Sequence, residues 1–190
     1  MNISKAAIIL YGLILGGCAL SPQTVNINPA INVAPASNQR INKAVSITVN
    51  DARGDNVIGT RGGVYADTAH IYAHPNMTAS LKTILSNSFR ELGYNVADNS
   101  DGASLTIDIA ELKYTASGET TIRAVETIAA VNATCRSGNL VMNNSYRVTD
   151  KQDILKAPSG TRNQELINST LASALQRMFN DQKLLECINR

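Results

Sequence analysis

Residues 121–148 read TIRAVETIAAVNATCRSGNLVMNNSYRV, and this stretch decides the fold class. It is rich in β-branched residues and breaks once, at Ser137-Gly138, so it predicts two strands joined by a tight turn, Thr121 to Cys135 and Leu140 to Val148. On the second strand Leu140, Met142, Tyr146 and Val148 share one face, opposite Asn139, Asn143, Ser145 and Arg147. The first strand is less clean, with Val125, Ala129, Val131 and Ala133 on one side but Ile122, Ile128 and Ala130 on the other. An antiparallel sheet usually turns a polar face to water. The second side therefore calls for cover from the N-terminal segment, from the irregular stretch 51–75, or from a partner.

Working outward, Leu105, Ile107 and Ile109 alternate with Thr106 and Asp108, marking a half-buried strand that runs to about Tyr114 before the Ser117-Gly118 turn. Tyr94 to Ala97 is a further short strand, and Val45, Ile47 and Val49 place another at Ala44 to Asn50. Leu81, Ile84, Leu85, Phe89 and Leu92 are spaced for one buried helical stripe, opening at Pro75 or Asn76 and stopped by Gly93. A second helix carries Leu166, Ile167, Leu171, Ala174, Leu175, Met178 and Phe179. Thr161 and Gln164 have the spacing of a capping box at its start. Between residues 51 and 75 the pattern dissolves, with Val57-Ile58 and Gly63 to Tyr65 readable as a small hairpin around Thr60-Arg61-Gly62. The expected fold is α+β: one mostly antiparallel sheet of 4-5 strands, with two helices packed side by side on one face, in strand-helix-strands-helix order.

The N-terminus carries an address. Lys5, an apolar run from Ala6 to Leu15 and small residues before a cut have the anatomy of a secretory signal. The run is about half the roughly 20 residues a membrane-spanning helix needs. It ends in Leu15-Gly16-Gly17-Cys18, which reads as a lipobox: the Cys18 thiol takes a thioether-linked diacylglycerol, and after signal removal its amine takes a further acyl chain, such as palmitate. Residues 1–17 are then a lipoprotein signal peptide, 18–43 the lipidated cysteine with a Pro- and Asn-rich tether, and 44–190 a single α+β periplasmic domain. Fully extended, a tether of that length reaches about 80 Å. Val25, Ile27, Ile31 and Val33 alternate within it, so part of it is fit to join a sheet edge, where Pro29 is tolerable.

Composition excludes some functions. Losing Lys5 with the signal lowers the formal charge from +2 to +1, and the basic residues are scattered, so nucleic acid is not a partner. Cys135 and Cys187 can pair in an oxidising periplasm or stay as buried thiols; pairing would close a 52-residue loop, a constraint of about 4 kcal/mol in the chain-entropy account. His70 and His74 lack further ligands for a metal, and Pro75 biases His74 away from helix. Gly59, Gly62 and Gly63 lack the Lys and hydroxyl residue of a phosphate loop and read as turn glycines. No Gly-x-Ser-x-Gly occurs, and pairs such as Asp51 with Asp55 or Asp98 with Asp101 fall in turn-like segments. The expectation is no enzyme, no catalytic residue, no metal and no cofactor beyond the acyl chains on Cys18. Asp51, Arg53 and Arg61 form a polar loop read as binding or structural. Two residues apart on extended chain, Asp51 and Arg53 either pair with each other or leave Arg53 free to present its fork to an anion.

Taken together, Cys18, the strand from Val45 ending in Asp51-x-Arg53, Ile58-Gly59-Thr60-Arg61, the Leu81 to Gly93 helix closing in Leu92-Gly93-Tyr94, and the final helix resemble the YajG family of lipoproteins over essentially the whole chain. The resemblance implies a small lipid-anchored envelope protein without a known activity. Under the enteric sorting rule Asp after the anchor would mark inner-membrane retention; this chain has Ala19, so delivery to the outer membrane, facing the periplasm, is implied. The leading expectation is a non-enzymatic outer-membrane lipoprotein with a binding or accessory role toward another envelope component. The alternatives are a carrier of a small ligand, lipid or peptidoglycan fragment, held between the loop 51–75 and the sheet, and an auxiliary subunit of an envelope export or transport machine.

Overall fold

The computed structural model describes residues 21–34, 41, 43–63, 66–98, 101–118 and 121–190. Its elements are β1 (Gln23–Val25), β2 (Ala44–Asp51), β3 (Val57–Thr60), β4 (His70–Ala73), α1 (Met77–Glu91), β5 (Asn95–Val96), β6 (Ala103–Ser117), β7 (Ala124–Ser137), β8 (Leu140–Asp153), α2 (Gly160–Phe179) and α3 (Gln182–Ile188). The central strand is β6. One edge takes β7 along its whole length, and β7 takes β8, both antiparallel. The other edge is shared: β2 lies parallel to the first half of β6 and carries β5, while β3 meets the second half at Gly59 opposite Tyr114 and leads on to β4 and β1.

This corrects the expected fold. Among the described residues the sheet has eight strands rather than four or five, four of its seven strand pairings are parallel, and there are three helices. The element order is four strands, a helix, four strands and two helices. A hairpin does form within 51–75, but β3 pairs with His70–Ala73; of the expected second strand, Gly63 to Tyr65, residues 64 and 65 lie outside the described residues. The discrepancy has a physical origin: β1, β3, β4 and β5 are two to four residues long, too short to show a period, and their places are fixed by neighbours distant in sequence. The cap of α2 also differs. Ser159 is the N-cap, accepting the Arg162 N–H at 3.2 Å, and Gln164 faces elsewhere.

The core lies between the sheet and the helices. Leu81, Leu85 and Phe89 of α1 and Leu166, Ile167, Leu171 and Leu175 of α2 are buried against Val45, Ile47, Ile107, Ile109, Ala129 and Val131. The two helices meet through Phe89 and Phe179, ring centroids 4.9 Å apart. A disulfide joins Cys187 of α3 to Cys135 of β7. At the start of α3, Asp181 caps the helix and accepts the Tyr146 hydroxyl at 2.6 Å and the Asn144 amide at 2.7 Å. The second face of β7 is less apolar than its sequence suggests. Ile122 is tucked beneath the β3–β4 turn, beside Gly62, Ile128 is half-buried and Ala130 buried, whereas Asn132 and Arg136 of β7 and Asn143, Ser145, Arg147 and Thr149 of the adjoining β8 stand in water.

Residues 21–34 lie on the domain as a strap. Val25, Ile27 and Pro29 are buried, and Ile31 and Val33 pack partly against the core. Beyond β1 the strap has no neighbouring strand, so its backbone takes hydrogen bonds from one face of α2. The N–H groups of Asn26, Asn28 and Asn32 donate to the side-chain oxygens of Gln164 at 3.0 Å, Asn168 at 2.7 Å and Gln176 at 3.1 Å, and the Asn168 amide donates back to the Asn26 carbonyl at 2.9 Å. The strap thus runs along α2 from its first turn toward its last. Replacing Ile27 with Ala is expected to remove about 2–4 kcal/mol of folding stability in urea denaturation. A freely moving tether would leave the midpoint where it was.

Candidate functional site

Asp51, Arg53 and Arg61, the polar loop residues singled out in sequence, fall into two separate places. Asp51 ends β2, and two residues later Arg53 folds back on it: Nε donates to Oδ1 and Nη2 to Oδ2, each at 2.7 Å. The Arg53 side chain is only 6% exposed, so Nε and Nη2 are spent on the fold and held away from solvent, while Nη1 is buried without a hydrogen-bond partner among the described residues. That hydrogen-bonded fork, opposed by partial burial and helped by the opposite charge, holds the Asp51 carboxyl below its usual range. Beside the pair is an open groove of about 270 Å³ lined by Arg53, Asp55, Val57 and residues 110–113. Glu111 in its wall is itself paired with Arg147. This is where a ligand between the loop 51–75 and the sheet would have to sit, and the groove is open and charged.

Arg61 stands apart from that pair, just after β3, where its N–H donates to the Ala69 carbonyl at 2.9 Å. Its side chain shares a groove of about 410 Å³ with Lys156, Ala157, Pro158 and Ser159, the turn leading from β8 into α2. Close by runs a polar chain that sequence reasoning missed. The buried Tyr114 hydroxyl donates to Asn163 Oδ1 at 2.6 Å, the Asn163 amide donates to Gln23 Oε1 at 3.1 Å, and the Gln23 amide donates to the Gly160 carbonyl at 2.6 Å. Burial pushes the Tyr114 hydroxyl up to about 12, with Arg61 pulling weakly the other way. The chain ties the incoming N-terminal segment to the first turn of α2. One signal was legible: Asn163 lies three residues before Leu166, on the apolar stripe, where a polar side chain requires a partner. Gly59 belongs here too, within β3 rather than in a turn, because a Cβ there would lie 1.9 Å from the Tyr114 carbonyl oxygen.

Of the remaining candidates, Cys18 lies outside the described residues. Cys135 and Cys187 are bonded to each other, at the far side of the domain from Arg61. His70 on β4 sets its ring edgewise to Tyr72, and His74 Nδ1 accepts the Asn76 N–H at 3.3 Å. Among the described residues no group of three or more His, Cys, Asp or Glu is placed to hold a metal ion. Asp181 is buried enough to raise its carboxyl, yet the hydrogen bonds from Tyr146, Asn144 and the backbone of α3 outweigh that and hold it low. Its role is to fasten β8 to α3.

Compared with known proteins, residues 29–189 match the model of a family described as uncharacterized lipoprotein. No curated protein sequence matches the chain. Among solved structures, protein XCC0632 from Xanthomonas campestris is similar with a TM-score of 0.53 and 15% identity, covering 87% of this chain and 96% of that one. The rare lipoprotein B from Shewanella oneidensis aligns with a TM-score of 0.47 and 12% identity, covering 75% of this chain and 98% of that one. At such identities the first likeness speaks for the fold alone.

The Asp51–Arg53 pair generates a testable pH dependence. Asp51→Asn strands a buried guanidinium, and the expected loss at neutral pH is about 1–3 kcal/mol. Because the folded-state pKa of Asp51 is depressed, the pair contributes fully above the ordinary value of 3.8 and fades as pH falls through the lowered one. Denaturation of the wild type and the variant across acid pH should therefore show the gap between them closing.

Proposed function

The chain belongs to a family of uncharacterized lipoproteins, and from that membership we propose that it is a lipid-anchored protein of the outer membrane, facing the periplasm, with a non-catalytic binding or accessory role toward another envelope component. The lipobox Leu15-Gly16-Gly17-Cys18 supports the anchor. Three acyl chains would hold it durably, each buried CH₂ contributing about 0.8 kcal/mol where a single chain is marginal. Among the described residues no helix is long and apolar enough to cross a membrane. Ala19 supports delivery to the outer membrane.

The observation that carries the binding role is the open face of β6, β7 and β8. Strands of 14 and 15 residues present it, and its side chains, Asn132, Asn143, Ser145, Arg147 and Thr149 among them, are exposed. By contrast, the titratable groups that the structure brings together hold the fold: Asp51 with Arg53, Asp181 with Tyr146. That division favours a binding surface over a reaction centre.

Changing Cys18 to Ala is expected to move the protein from the membrane pellet to the soluble periplasmic fraction. On a density gradient the wild type should travel with outer membrane. Photo-crosslinkers at Ile128 and Val141, half-buried and exposed on the open face, are expected to trap one envelope component in growing cells. An anchored protein that yields no adduct from either position would count against the binding role. Ile122 is unsuitable as a probe because it is buried.

A further inference from the structure

One end of the domain gathers four features: the arriving N-terminal chain at Gln23, the β3–β4 loop with Arg61, the β6–β7 loop with Arg123, and the β8–α2 turn with Leu155 and Lys156. The pairing registers require this. Gln23 lies opposite Ile71 at the start of β4, Thr60 at the end of β3 pairs with His70, and Ser117 at the end of β6 pairs with Ala124, which in turn pairs with Asp153 at the end of β8. The Gln23 side chain is bonded to Gly160 in the first turn of α2. Cys18 precedes Gln23 by only five residues, a span of at most about 18 Å. An anchor at Cys18 therefore sits against this end of the domain, whereas the opposite end, at Val141, lies a further length of β8 away, about 45 Å.

The same end bears a group with no reason to face water. Leu155 has a relative exposure of 104%, against 47% for Val141 and 39% for Ile41, the other large apolar side chains exposed among the described residues. Lys156 follows it, and neither Lys156 nor Arg61 is in a salt bridge among the described residues. We propose that this end is a lipid-contacting surface, on which Leu155 enters the boundary between headgroups and acyl chains while Lys156 and Arg61 meet headgroup phosphates. The proposal rests on the anchored reading of Cys18. Among the described residues the charge of this end is nearly balanced, since Asp67 and Asp153 share the rim with Arg61, Arg123 and Lys156. Contact is therefore set by the short leash, which holds one apolar side chain at high effective concentration, and not by attraction to an anionic surface.

The chain contains no tryptophan, so Leu155→Trp and Val141→Trp each give a single reporter on an exposed position. The acylated full-length proteins would be reconstituted in phosphatidylcholine vesicles with brominated acyl chains, which quench tryptophan on contact. Trp fluorescence at position 155 is expected to be blue-shifted and quenched at least about twofold, that at position 141 to match the protein in detergent, and adding salt to change neither. Wild-type protein that fails to float with vesicles would sink the anchored reading, and the lipid surface with it. Protein that floats but shows position 155 unquenched, or quenched no more than position 141, would overturn the lipid surface and leave the anchor standing. Circular dichroism checks that both variants fold.

Discussion

Everything in this domain depends on how one strand, β6, changes face halfway along. Up to Ile109 its odd-numbered residues, Ala103, Leu105 and Ile107 included, point into the core; after an irregularity between Ile109 and Glu111 the even-numbered Leu112 and Tyr114 do. One extra residue in a strand reverses the side-chain parity beyond it. The reversal falls where the neighbour changes: β2 ends opposite Ile109, and β3 arrives at Tyr114. The bulge thus lets a single 15-residue strand serve two different parallel partners while keeping apolar side chains under the helices along its length. Gly59 completes the second junction, since only a residue without Cβ can approach the Tyr114 carbonyl so closely.

The second seam is made of amides. A helix face normally offers a strand nothing to bond, because its own backbone groups are used internally. Here α2 supplies Gln164, Asn168 and Gln176 at intervals of four and eight residues along one side, and these replace a partner strand for the strap. Pro29 brings no N–H and so needs no such partner, which is why a proline is tolerated in a segment bonded this way. The consequence reaches function. In a segment whose composition reads as a spacer of about 80 Å, residues 23–34 are taken up by the domain, leaving only a short leash before Gln23.

Long local patterns were legible in the sequence. The apolar stripes of α1 and α2 and the β7–β8 hairpin around Gly138 each rest on contacts close along the chain, and they appear near their expected places. The alternation of Val25, Ile27, Ile31 and Val33 was also visible, but the surface it packs on was not, because the clue lay in polar residues of α2 that look like an ordinary solvated face. Parallel pairing hid the rest of the sheet. A two-residue strand such as β5 has no period, and its partner β2 lies 44 residues or more upstream. At the candidate site, Asp51 and Arg53 were identifiable as a pair from their spacing, while the link from Tyr114 through Asn163 to Gln23 spans 140 residues between Gln23 and Asn163. The place of Asn163 on the apolar stripe calls for a partner, but residue types alone do not say that Tyr114 and Gln23 supply it.

The edges of the sheet bear on which surface remains for a partner. A 14-residue edge strand such as β8 would ordinarily invite another strand to pair with it. Here Arg147, Lys151 and Asp153 line it with charge, Arg177 of α2 donates to the Arg147 carbonyl at 2.9 Å, and Asn144 is drawn toward Asp181. These contacts blunt strand addition. At the other margin β1 passes directly into the strap, and the helices cover the inner face. What is left is the outer face of β6, β7 and β8, where short polar side chains such as Asn132, Asn143, Ser145 and Thr149 stand among charged ones such as Arg136 and the Glu111–Arg147 pair. Anchoring by the N-terminal end would stand those long strands away from the lipid, with that face turned to whatever occupies the space alongside.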